Sequence, residues 1–78
     1  NRHIGLYMEI DESMTRGVYD YINECGYELS SVEKKRDKTL KGSDIVLTMM
    51  LDLKKRRNHA EVLSEVSQIE GIHYLEEV

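Results

Sequence analysis

Residues 45–53 read Ile-Val-Leu-Thr-Met-Met-Leu-Asp-Leu, and this run constrains the fold more than any other part of the chain. Ile45, Leu47, Met49, Leu51 and Leu53 share one parity, while Val46, Thr48, Met50 and Asp52 share the other. A period of two is the mark of a strand with one buried face; wound into a helix, the same residues would scatter around the cylinder. A second alternating run places Ile4, Leu6, Met8 and Ile10 opposite His3, Gly5, Tyr7 and Glu9. Two strands with matching apolar faces need a covering layer.

Helical segments supply that cover. After the first strand, Asp11, Glu12 and Ser13 offer N-cap chemistry, and Met14, Val18, Tyr21, Ile22 and Cys25 recur at helical spacing up to Gly26, which reads as a C′ stop. Asn58 followed by Glu61 resembles a capping box, and Val62, Leu63, Val66 and Ile69 form a second stripe ending at Gly71. Between the helices, Tyr27 and Leu29 share a parity that Val32 breaks, so the second strand is expected to bulge. The polar stretch Lys34 to Gly42 reads as a hairpin loop, and Ile72 to Val78 as a last short strand. The order βαββαβ, with right-handed crossovers, implies an α+β ferredoxin-like sandwich: a four-stranded antiparallel sheet with two helices on one face.

At 78 residues the chain has room for one domain, 1–78, and its 40 % apolar and 33 % charged residues describe a globular core. The single cysteine, Cys25, permits no internal disulfide and no multi-cysteine zinc site. It stands at the negative end of a helix, where a thiol is not activated, and reads as a small core residue. His3, His59 and His73 fall on three different elements without a ligand-pair spacing, Ser13 and Ser43 lack a recognisable basic partner, and no glycine-rich phosphate loop occurs. No catalytic residue, metal or cofactor is therefore expected. RNA recognition by a sheet face requires stacking aromatics on the central strands, where only Tyr7 is available, so nucleic acid is not an expected partner.

Charge is unevenly spread. Nine of the eleven Lys and Arg residues lie between Lys34 and Arg57 with three acids, a net of +6, which leaves −10 for the remainder of a chain of net charge −4. Lys34, Lys35, Arg36, Lys38 and Lys41 cluster around the hairpin, while Lys54, Lys55, Arg56 and Arg57 follow the third strand at its other end. The plain reading of such runs is solvated loop charge. The functional reading is a surface: the first strand begins where Lys54 to Arg57 emerge, so an upstream membrane segment would bring those four residues to anionic lipid. Asp11 and Glu12 read most simply as helix capping, and otherwise, with Arg16 as compensation, as a small-ligand or cation site. Tyr7, Val46 and Met50 put apolar surface on the uncovered face, and the second strand is an edge, so either feature suits self-association as a homodimer.

With those elements in place, Ile4 to Val78 resembles the ACT-like C-terminal cytoplasmic domain of the MgtC/SapB membrane protein family. The resemblance is carried by Tyr27-Glu-Leu-Ser-Ser-Val-Glu33 directly after Cys25-Gly26, by the 45–53 strand, and by the ending Glu70-Gly-Ile-His-Tyr-Leu-Glu-Glu-Val78. It implies a non-enzymatic regulatory or assembly domain of an inner-membrane protein linked in bacteria to growth at low magnesium, lying in the cytoplasm below a transmembrane region. The opening at Asn1 rather than Met, without a leader segment, fits a C-terminal fragment of such a protein. Amino-acid-sensing ACT domains carry an Asp-x-Pro-Gly-like turn; here Asp11 matches, but Glu12, Ser13 and Met14 follow and the chain contains no proline. An ACT-type sensor of an amino acid or divalent cation near Asp11 and Glu12 is the alternative expectation, and an acylphosphatase-type enzyme a third that those acids oppose.

Overall fold

The computed structural model describes residues 2–78. Its strands are β1 (His3–Asp11), β2 (Glu28–Arg36), β3 (Asp44–Asp52) and β4 (Ile72–Glu77), with helices α1 (Thr15–Glu24) and α2 (His59–Val66). A 3-10 turn, Glu12–Met14, leads into α1. The strands form one sheet in the order β2-β3-β1-β4, every pairing antiparallel. This is the expected ferredoxin-like arrangement, with the two alternating strands at its centre.

Alternation decides which face is dry. Ile4, Leu6, Met8 and Ile10 of β1 stand level with Leu51, Met49, Leu47 and Ile45 of β3, and all eight are buried. Against them pack Val18 and Ile22 of α1 and Val62 and Val66 of α2, so both helices cover the same face. Cys25 packs partly buried against this core, as its sequence position implies.

The ends of the helices follow local chemistry. Asn58 caps α2 by accepting from the backbone N–H groups of Ala60 and Glu61. Helix α1 closes with the Tyr27 N–H on the Ile22 carbonyl and the Gly26 N–H on the Asn23 carbonyl; Gly26, at φ +83°, makes this paired closure possible.

Two boundaries differ from the sequence reading. Helix α2 ends at Val66, and residues 67–71 form a turn that still places Ile69 against the core. Gly71, at φ +95°, abuts Met14 so closely that a Cβ would lie 2.3 Å from its Cγ. Strand β2 runs on to Arg36, so Lys34, Lys35 and Arg36 belong to the strand and the hairpin loop covers 37–43. The polar sequence conceals a strand there because β2 is an exposed edge with no buried face to mark it. The expected bulge is present, as a register shift between Leu29 and Ser31.

Candidate functional site

At one end of the sheet, strand β1 delivers Asp11 and Glu12 into the 3-10 turn. The Asp11 carboxylate accepts from the Ser13 N–H at 3.0 Å and the Ser13 hydroxyl at 2.8 Å, which holds its pKa below the ordinary aspartate value. Glu12 accepts from the Arg36 guanidinium at 2.8 and 2.9 Å and has the Lys34 ammonium 3.4 Å away; these cations, Arg36 foremost, lower its pKa. Lys34 and Arg36 reach Glu12 because alternate residues of β2 project from the helix-covered side of the sheet. The backbone is tied here as well, Asp11 N–H to the Gly71 carbonyl and Glu12 N–H to the Ser43 carbonyl.

Arg16 does not join them. Its guanidinium faces Asp20 one helical turn along, 3.5 Å away, on the exposed side of α1. Of the three sequence-derived ligand candidates, the fold brings Asp11 and Glu12 together and turns Arg16 elsewhere. Beside Asp11 lies an open cleft of about 720 Å³ between the 39–44 segment and β4. Asp44 and His73 line it and are themselves paired at 2.7 Å. Among the described residues, no three of His, Cys, Asp and Glu are grouped to hold a metal ion.

At the opposite end stand Lys54 to Arg57, and the four differ in what they do. The Lys54 ammonium lies 2.9 Å from Glu28, a contact that raises its pKa, and its own N–H binds Asp52 across a left-handed turn at φ +72°. Arg57 sits 5.6 Å over the ring of Tyr27, donates to the Tyr27 hydroxyl and pairs with Glu65 at 3.1 Å, while that hydroxyl donates to Glu65 at 2.9 Å. Burial, and next the Cys25 thiol, push up the Tyr21 hydroxyl close to this cluster. Lys55 and Arg56 are exposed and form no ion pair with the described residues. Arg2 emerges alongside, its carbonyl accepting from the Leu53 N–H at 2.6 Å. Entry of the chain and the cationic turn thus share one end.

The uncovered sheet face carries the third set. Tyr7 and Met50 are partly exposed there, whereas Val46 is only 7 % exposed. Beside Tyr7 stands Tyr74 of β4, the ring centres 6.1 Å apart and edge to face. Sequence reading missed this partner because β4 lies far along the chain from β1; its only signal was the alternation of Tyr74 with Leu75. Glu9 and Glu76 flank the pair, giving it acidic surroundings.

Compared with known proteins, neither a family model nor a curated protein sequence matches the chain. Solved structures do match. The C-terminal domain of the MgtC protein from Mycobacterium tuberculosis superposes with a TM-score of 0.73 at 12 % identity, over 97 % of this chain and 84 % of that one. The fold is ACT-like. A second match, the ACT domain from GTP pyrophosphokinase of Chlorobium tepidum, gives a TM-score of 0.72, also at 12 % identity, covering 97 % of this chain and 96 % of that one. At such identity the likeness concerns the fold, and there the resemblance seen in the sequence is met. The ACT-like domain has no helix, among its described residues, long and apolar enough to cross a membrane.

Proposed function

We propose that this chain is a non-enzymatic regulatory or assembly domain of an MgtC-like membrane protein linked to growth at low magnesium, working through its surfaces. The observation that carries this reading is the end where Arg2 is tied to Asp52 and Leu53, directly before the turn that bears the exposed Lys55 and Arg56. A membrane segment preceding Arg2 would hold that end against the cytoplasmic leaflet, where each basic side chain contributes up to about 1 kcal/mol of attraction to anionic lipid. The ACT-like likeness to an MgtC C-terminal domain supports the same reading. Pairing of two copies, where it occurs, is assigned to the β2 edge.

A small-ligand sensor is the second reading, favoured by the cleft beside Asp11. Against it, Glu12 is already engaged by Arg36 and Lys34, and Asp11 Oδ1 by Ser13. A thermal-shift panel of amino acids, magnesium and nucleotides separates the two. Surface work predicts no shift, whereas a ligand at 100 times its dissociation constant adds about 2.7 kcal/mol to stability. A specific shift abolished by Asp11→Asn with Glu12→Gln would overturn the surface reading.

A further inference from the structure

Of the four large apolar side chains exposed among the described residues, three share one face. Met50, Tyr74 and Val78 all stand on the uncovered sheet face, where Met50 and Val78, with Ser31, Glu33 and Thr48, line a hollow of about 250 Å³; Val32, level with Met49, belongs to the helix-covered side. Gly5 lies beneath Val78 and Met50: a Cβ there would lie 3.1 Å from Val78 Cγ2 and 3.4 Å from Met50 Cε, so the glycine gives these side chains room to settle on the strand. Two residues further along β1, about 7 Å at roughly 3.3 Å per residue, the Tyr7–Tyr74 pair begins.

The charge on this face is one-sided. Between the Asp11–Asp44 and His3–Asp52 levels at its two ends, register places Glu9, Glu33 and Glu76 on it with Lys35 as the accompanying cation. Tyr7 donates to Glu9 at 2.9 Å. The field is felt by the aromatics: Glu9 chiefly raises the Tyr7 hydroxyl above the usual tyrosine value, and Glu76 chiefly raises that of Tyr74. Aromatic rings beside carboxylates are the chemistry that receives a guanidinium or ammonium group, through the ring faces and charge-assisted hydrogen bonds together.

The geometry points to this face as the docking surface for a cationic amphipathic segment of a partner protein, an Arg or Lys seated against Tyr7, Tyr74, Glu9 and Glu76 and an apolar side chain in the hollow beside Met50 and Val78. Charge selects this occupant over a second copy. The middles of two such faces packed together confront six carboxylates with two ammonium groups, and like charges across an interface oppose assembly. A cationic partner meets no such opposition. The inference goes beyond the regulatory reading and does not depend on the lipid-facing end.

The test uses the 78-residue chain and a fluorescein-labelled peptide with leucine and arginine at helical spacing, beside its leucine–glutamate counterpart. The arginine peptide is expected to bind, more weakly as salt rises, and to move the amide resonances of Tyr7, Met50 and Tyr74. Glu9→Gln with Glu76→Gln should weaken binding tenfold or more, as should Tyr74→Ala, while Lys35→Glu strengthens it. Glu24→Gln with Glu70→Gln removes the same net charge elsewhere and should leave affinity unchanged; circular dichroism establishes that each variant is folded. Equal weakening by both double variants, equal binding of the glutamate peptide, or resonance shifts confined to the helices would overturn the assignment. So would a concentration-dependent dimer abolished by Met50→Asp, which would make a second copy the occupant.

Discussion

The two ends of the sheet each gather acids and bases, yet they differ in what they leave available. At the Asp11 end, Glu12 takes up Arg36 and Lys34, Asp11 caps the turn, and the backbone of β1 is tied to both Gly71 and Ser43. At the Arg2 end, Arg57 and Lys54 are bound to Glu65 and Glu28, but Lys55 and Arg56 remain exposed. Each run thus divides, Lys34 and Arg36 becoming structure while Lys35, Lys38 and Lys41 stay on the surface, just as Lys54 and Arg57 are taken up and Lys55 and Arg56 are not. What separates them is the reach of a neighbouring carboxylate, a property of the fold and not of the run.

The comparison can be broken most forcefully at Gly71. Alanine there meets Met14 and a left-handed backbone, so Gly71→Ala should cost about 1–3 kcal/mol, the range of an overpacked site, and lower the melting midpoint. A midpoint within a degree of wild type would show that the Asp11 end is loosely held.

Arg57 sharpens the contrast within its own cluster. Arg57→Ala removes the Tyr27 and Glu65 contacts and should cost about 1–2 kcal/mol in a denaturant melt, by loss of a partly buried charge-assisted network. Lys55→Ala and Arg56→Ala should each stay within about 0.5 kcal/mol, as solvent-facing substitutions do.

Acid distinguishes the ends further. Asp11, Glu12 and Asp37 at one end, and Asp52 at the other, have folded pKa values held below their ordinary 3.8 or 4.5. A depressed carboxyl contributes stability that is fully present above its unfolded value and is lost as pH falls through the folded one. Thermal midpoints should therefore be flat above about pH 5 and fall below 4.5. Glu12→Gln with Asp11→Asn should flatten that fall more than Asp52→Asn does; the reverse order would move the acid-sensitive network to the Arg2 end. Smallest of all, Arg16→Ala should change neither the midpoint nor its pH dependence, because Arg16 is 88 % exposed beside Asp20.

How much of this was legible in the sequence follows from physical range. Strands β1 and β3 were legible because burial on one face writes itself into every second residue, as in Ile45 through Leu51. Asn58 and Gly26 were legible because caps act within a few residues. The end of β2 was hidden, since an edge strand such as Lys34-Lys35-Arg36 has no covered face to encode. Asp11 and Glu12 could be singled out, but the partners that satisfy Glu12 come from a strand more than twenty positions away. Tyr74 beside Tyr7, and Arg57 over Tyr27, depend on register and chain crossing that periodicity does not carry.

The most direct measurement is cosedimentation of the chain with phosphatidylcholine vesicles, with and without phosphatidylserine, at low and high salt. Binding only to the anionic vesicles, weakened by salt and reduced about thirtyfold in Lys55→Gln with Arg56→Gln, is the expected result, at about 1 kcal/mol for each basic side chain. Lys34→Glu with Lys35→Glu at the opposite end should retain most of that binding. No binding to anionic vesicles, or equal loss in the two double variants, would contradict a lipid-facing role for the Arg2 end.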